Sequence, residues 1–298
     1  MKKPLIIIAG PTASKKTQTA IDCAKKINGE VISADSMQVY KYMDIGTAKV
    51  TEKEMDGVRH HLIDVLYPDE DFSVAKFKDM AKEAIDDIVA RGKIPILAGG
   101  TGFYINALLF DVNFNKEPED KSYREYLYGL ETKILYEMLQ QVDKNATENI
   151  HENNTKKIIR ALEYHHITGE KISDHNKKEA QREMAYDAKF FVLNMDRKLL
   201  YDRINLRVDI MVEQGLVKEV EGLLAKGYRQ DLISLGGIGY KEIINYINGL
   251  TSLDTAIEDI KQNTRHFAKR QLTWFRNKSV GYEIDVLKEN ALQVILSR

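Results

Sequence analysis

Residues 5–17 read LIIIAGPTASKKT, a short apolar run that breaks into a Gly-Pro turn and ends in a Lys-Thr pair before a helix-compatible stretch. The apolar run predicts a strand over Leu5 to Ala9, and the spacing after the turn predicts a helix over Lys16 to Ile27. The turn therefore lies where a strand ends and a helix begins, and backbone N–H groups converge there on one anionic group. The phosphate-loop pattern G-x-x-x-x-G-K-[ST] is met except at its second glycine, where Lys15 stands. In that pattern Lys16 contacts phosphate oxygens and Thr17 coordinates Mg²⁺. As plain structure the same letters make a Gly-Pro turn opening a basic helix. A Cβ at position 15 crowds an approaching phosphate, whereas the lysine charge compensates in part. The residues leave that balance open, with glycine at position 15 expected to tighten anion binding.

The first hundred residues alternate apolar strands with helical periodicity, which predicts an α/β fold built on a parallel sheet flanked by helices. Further strands are expected at Glu30 to Ala34, His60 to Val65 and Ile94 to Ala98. A helix is expected over Ser73 to Arg91, with Ser73 as N-cap and Gly92 as the stop, and another after Gly102. From Asp111 to about Asp120 the chain is polar and irregular, and after it only helical patterns follow until KFFVLNM (Lys189 to Met195) reads as a returning strand and YEIDV as a last one. The expected organisation is a phosphate-loop core of residues 1–111 and 189–298 with a mostly helical insertion of residues 112–188.

The chain has 298 residues, of which 43% are apolar and 30% charged, so a sizeable core is available. Its net charge of −1 means that a polyanion must be held by local patches rather than by the overall field. A single cysteine, Cys23, sits on an apolar helix face and excludes an internal disulfide, in keeping with a reducing cytoplasm. The apolar run after MKK is too short for a signal peptide, and no stretch approaches a membrane span, so no membrane partner is expected.

Asp35 follows the second strand, where ligands of open α/β sheets gather. A carboxylate there holds magnesium, serves as a general base or caps a turn. The fourth strand runs into GGTGFY, whose Gly99, Gly100 and Gly102 let the backbone approach a ligand while Thr101 offers a hydroxyl. His60-His61 reads as a hydrogen-bonded strand pair rather than a metal site. Lys261, Arg265, Lys269, Arg270, Arg276 and Lys278 interleave with His266, Phe267, Trp274 and Phe275, which suits a nucleic-acid backbone or a diphosphate, or equally a solvated helix face over a core stripe. Lys156, Lys157 and Arg160 form a shorter basic segment.

GPTASKKT, DSMQVYKYMDIGTAK, HHLIDV, PILAGGTGFYINALL, KKIIRALEYHHITG, RVDIMVEQGLVKEV, GIGYKE and TRHFAKRQLTWFR together resemble, in order, the blocks of the tRNA dimethylallyltransferase family of bacterial type, over nearly the whole chain. The resemblance implies transfer of a dimethylallyl group from dimethylallyl diphosphate to N6 of the adenosine 3′ to the anticodon, in the cytoplasm, by a monomer. It implies that Gly10, Thr12, Ala13, Ser14, Lys15, Lys16 and Thr17 hold the diphosphate, with Mg²⁺ on Thr17. Asp35 would be the base, Thr101 would position acceptor or leaving group, and Arg207 would bind diphosphate. Asp35, Ser36, Met37, Gln38 and Thr101 would touch tRNA, and Lys156, Lys157, Ile158, Ile159 and Arg160 of the insertion would grip the anticodon arm. Two other readings use the same residues: a small-molecule kinase that binds ATP, and an RNA-binding protein with an impaired phosphate loop.

Overall fold

The computed structural model describes residues 2–113 and 120–298, which form two compact units, residues 1–111 with 184–298, and residues 112–183. The first unit opens with β1 (Pro4–Ala9), α1 (Lys16–Ile27), β2 (Gly29–Ser33), α2 (Glu52–Met55), β3 (His60–His61), α3 (Val74–Ala90), β4 (Ile94–Gly99) and α4 (Gly102–Leu109). The second unit holds α5 (Lys121–Tyr128), α6 (Thr132–Val142), α7 (Thr155–Thr168) and α8 (Ile172–Ala180). The chain then returns to the first unit with β5 (Asp187–Asn194), α9 (Arg197–Glu213), α10 (Leu216–Ala225) and α11 (Tyr240–Ile247). It closes with α12 (Leu253–Lys278), β6 (Tyr282–Asp285) and α13 (Ala291–Ser297).

The strands form one parallel sheet in the order β3-β2-β4-β1-β5-β6. Side chains alternate across it with period two, and both faces are apolar. Leu5, Ile7 and Ala9 of β1 and Phe190 and Val192 of β5 face a core shared with Phe77, Ile85 and Ile88 of α3, Leu108 of α4 and Phe275 of α12. Ile8, Phe191 and Leu193 face the opposite core, with Ala20, Ile21, Cys23 and Ala24 of α1 and Ile295 of α13. Burial pushes the Cys23 thiol up to about 11, so it packs as a small apolar group. The Ser73 hydroxyl accepts from the Lys76 N–H at 3.2 Å to cap α3, and Gly92, at φ +69°, follows its end.

Strands β2 and β4 lie within one residue of their expected bounds, and two boundaries differ more. The third strand is confined to His60–His61, because Leu62 (φ 61°) and Asp64 (φ 56°) adopt left-handed backbone and break the pleat. Val65 and Leu66 instead donate to the carbonyl of Val39, which ties this segment to the loop after β2. The returning strand starts at Asp187, and the second unit ends at Glu183. His61 pairs with the buried carboxylate of Glu30 at 2.8 Å, and His60 bonds the carbonyl of Val58.

The second unit has its own core of Leu127, Leu135, Leu139, Ala146, Ile158, Ile159, Ala161 and Leu162. Ile158 and Ile159, expected with Lys156, Lys157 and Arg160 to touch tRNA, thus have their side chains packed into this core. On a helix, neighbours two positions apart point different ways, so Lys156, Lys157 and Arg160 stay exposed.

Candidate functional site

Three adjacent strands bring the chemistry-bearing loops together. Ala9 pairs with Gly99 and Ser33 with Ala98, so β1, β4 and β2 end side by side. The loop 10–15, Asp35 and Thr101 therefore lie along one stretch of the sheet's carboxyl edge. The next strand, β5, leads into α9, which carries Arg203 and Arg207 to the same place.

The loop 10–15 has the backbone of an anion cradle. Gly10 is required, since a Cβ there would stand 2.4 Å from the carbonyl oxygen of Leu193. Ala13 (φ 63°) and Lys15 (φ 68°) are both left-handed. Among the described residues, the N–H groups of Ala13 through Thr17 donate no hydrogen bond, whereas that of Thr12 donates to Gln271. Five consecutive amides without a partner among the described residues, at the start of a 12-residue helix, suit a negatively charged group. The side chains of Ala13 and Ser14 are buried, so these two residues present backbone, not side chain.

Cations surround the cradle. Lys16 donates to the Pro11 carbonyl, and burial, followed by repulsion from Arg207, lowers its ammonium to about 7 against an opposing pull from Asp35. Burial and the charge of Arg203 also lower Arg207, which donates to the Thr12 hydroxyl at 3.5 Å. Arg203 donates to the Ala13 carbonyl at 2.9 Å. The sequence reading missed Arg203, although its place four residues before Arg207 marked it as lying on the same helix face.

Lys15 takes the left-handed geometry that the pattern reserves for glycine, and its side chain is exposed. The cradle therefore keeps its shape at a local cost, and relief of a distorted loop no longer predicts tighter anion binding by Lys15→Gly. That variant is expected to gain about 0.5–1 kcal/mol of stability, the left-handed penalty less glycine's entropy, as a raised urea midpoint. Anion affinity is expected to be unchanged or to fall by up to about fivefold through the lost surface charge, as titration calorimetry would read.

Asp35 is fixed by one oxygen: its Oδ1 accepts from the N–H groups of Met37 (2.8 Å) and Gln38 (3.3 Å). Its Oδ2 accepts no hydrogen bond among the described residues. Thr101 ends the glycine turn, with its N–H on the Ala34 carbonyl at 3.4 Å and its hydroxyl unpaired among the described residues. The segment after Asp35 is scaffolded from beneath. Glu219 of α10 accepts from the N–H groups of Asp44, Ile45 and Gly46 and from the hydroxyl of buried Tyr240. Buried Lys49 donates to Asp44, Asp64 and the Tyr40 carbonyl. The Gln38 carboxamide is spent within this scaffold, on the Ser33 hydroxyl and the carbonyls of Thr47 and Ala48, and Met37 packs on Gly237. Of the residues 35–38 expected to meet RNA, Asp35 and Ser36 thus retain uncommitted polar side-chain atoms.

The basic stretch of the sequence lies on α12. His266, Lys269, Arg270, Thr273, Trp274, Asn277 and Lys278 line an open groove of about 540 Å³. Trp274 also lies against Gly102 at the start of α4, where any Cβ would stand 2.1 Å from the indole ring. Ala268, Gln271 and Phe275 of the same helix are buried, so α12 combines a core face with a cationic one.

A sequence model of the IPP transferase family matches residues 38–278. The tRNA dimethylallyltransferase of Lachnoclostridium phytofermentans is 54% identical over 280 residues, covering 93% of this chain and 90% of that protein. A Bacillus cereus tRNA dimethylallyltransferase is 50% identical over 281 residues, with 93% and 88% covered. The crystal structure of the full-length tRNA isopentenylpyrophosphate transferase of Bacillus halodurans is similar with a TM-score of 0.75 at 45% identity, over 99% of this chain and 94% of the other. A eukaryotic dimethylallyltransferase acting on tRNA gives a TM-score of 0.83 at 31% identity, over 95% and 74%. These likenesses favour the transferase reading over the kinase and the binding-only alternatives. The parallel sheet, the ordered site loops and these relatives lead to one assignment: the chain belongs to the IPP transferase family.

Proposed function

We propose that this protein transfers the dimethylallyl group of dimethylallyl diphosphate to N6 of the adenosine 3′ to a tRNA anticodon and releases diphosphate. The observation that carries the reading is the run of unpaired amides from Ala13 to Thr17, ringed by Lys16, Arg203 and Arg207, on the same sheet edge as the open carboxylate oxygen of Asp35. An adenine amino group is a poor nucleophile and must lose a proton as it attacks the allylic carbon. Asp35 takes that proton on Oδ2, while the cradle and its cations absorb the negative charge that gathers on the departing diphosphate. The Thr101 hydroxyl orients the reacting partners between them.

Thr17 stands exposed in the first turn of α1 with a hydroxyl uncommitted among the described residues, which fits a magnesium site completed by phosphate oxygens and water. Bound there, Mg²⁺ would neutralise diphosphate charge. The reacting base must leave its stack to reach the donor, and the cationic groove on α12 suits the flanking backbone. All assigned residues lie on one chain, so a monomer suffices. Among the described residues no helix is long and apolar enough to cross a membrane, and we place the reaction in the cytoplasm.

Incubation with unmodified tRNA and dimethylallyl diphosphate should add one prenyl mass to a single adenosine beside the anticodon. Mass analysis showing no such addition, or a phosphorylated product from ATP, would overturn the reading. With net charge −1, tRNA affinity depends on local cations, and Lys156, Lys157 and Arg160 are exposed on α7. Replacing all three with alanine is expected to weaken tRNA binding and lower the slope of log affinity against log salt by about 0.7 for each phosphate no longer neutralised. An unchanged slope would remove them from the interface.

A further inference from the structure

Gln271 is a buried polar residue of α12 with both ends of its carboxamide occupied. Its Oε1 accepts from the Thr12 N–H at 2.9 Å and its Nε2 donates to the Gly100 carbonyl at 2.9 Å. The chemistry fixes this orientation, since the reverse would set N–H against N–H and oxygen against oxygen. Position 100 is shaped for this approach: a Cβ there would stand 2.2 Å from Nε2. The residue after Gly100 is Thr101, whose N–H donates to the carbonyl of Ala34, the residue before Asp35. One continuous series of bonds thus runs from the phosphate loop through Gln271 and the glycine turn to the base.

We infer that Gln271 is a positioning residue: its carboxamide sets the distance between the leaving diphosphate and the groups that orient and deprotonate the adenosine. The inference rests on the site assignment proposed above. It follows from the geometry because the two loops join different strands, and Gln271 bonds the one holding the leaving group to the one that ends at Thr101. A misplacement of about 1 Å at a reacting centre costs up to about 10²-fold in rate. The diverted Thr12 amide also leaves the cradle to begin at Ala13.

The test compares single-turnover transfer, donor affinity and tRNA affinity in Gln271→Leu, Gln271→Glu and Gly100→Ala. Gln271→Leu and Gly100→Ala are each expected to slow transfer about tenfold or more while tRNA affinity stays within about threefold of wild type. The double variant should be no slower than the worse single, because both remove one link. A protonated carboxyl has one donor and one acceptor, like the amide, whereas a carboxylate repels the Gly100 carbonyl. The ratio of Gln271→Glu to wild-type rate should therefore rise as pH falls across a range in which circular dichroism shows both proteins fully folded, a condition under which a role in stability alone leaves the ratio flat. If Gln271→Leu does not fold, that pH-dependent ratio decides. Near-wild-type rates, additive losses or a flat ratio would each overturn the inference. Asp35→Asn run beside them separates the readings: if it keeps its rate the site assignment fails, and if it loses its rate while Gln271→Leu keeps it, only the positioning role fails.

Discussion

Asp35→Asn is expected to lower single-turnover prenyl transfer about 10²–10⁴-fold, with tRNA and donor affinities near wild type. The asparagine carbonyl oxygen can keep the bonds from the Met37 and Gln38 amides, so the loop after β2 retains its shape. The substituted position is then an NH₂ group, which cannot accept the adenine proton. Rapid-quench measurement with saturating tRNA and donor reads the chemical step directly. A rate within about threefold of wild type would remove Asp35 from the base role.

Lys16→Met should weaken dimethylallyl diphosphate binding about 10²-fold, since it removes a charge-assisted bond of up to about 3 kcal/mol in a buried setting. The wild-type protein should show the same interaction as a pH effect. In the free protein, burial and Arg207 hold the ammonium at about 7. An anion in the cradle favours the charged form and raises that value, so the complex binds more protons than the free protein. Above pH ~7, in magnesium-free buffer, donor affinity is therefore expected to fall with rising pH, by at most about tenfold per unit. Calorimetry in buffers of different ionisation heat should register proton uptake on binding, and Lys16→Met should abolish it. Proton release, or an affinity independent of pH from about 7 to 9, would contradict the assignment.

Much of the sheet was legible because its strands are buried on both faces and read as uninterrupted apolar runs, as in LIIIA and PILA. Helix α1 begins and ends where its spacing placed it, Lys16 to Ile27. The short third strand was not legible, because Leu62 turns left-handed without being a turn-forming residue, and Asp64, which is one, comes only after the pleat is already broken. At the site, the loop 10–17, Asp35 and Thr101 could be read locally, since each follows a strand, whereas Arg207 on α9 came from the family resemblance alone. The partners that position them could not. Arg203, Glu219 and Gln271 reach the loops from 190, 173 and 259 residues away in sequence, and no local pattern distinguishes them from other polar residues of a helix. Ile158 and Ile159 show the converse, since a basic stretch marks a segment as cationic without separating the side chains that point inward.

The chain leaves the first unit at Asp111 and re-enters at Met184, and there the N–H of Ala185 donates to the carbonyl of Leu109 at 2.8 Å. Departure and return are thus pinned almost at one point, and β5 finds its register on β1 whatever lies between them. The intervening segment behaves as a loop whose ends are already closed, for which each doubling of length costs only about 0.6 kcal/mol. Evolution can therefore lengthen, shorten or redecorate those 72 residues, Val112 to Glu183, without renegotiating the sheet. The hinge of that tolerance is a single backbone hydrogen bond, which makes the sheet indifferent to the size of what the chain builds between Leu109 and Ala185.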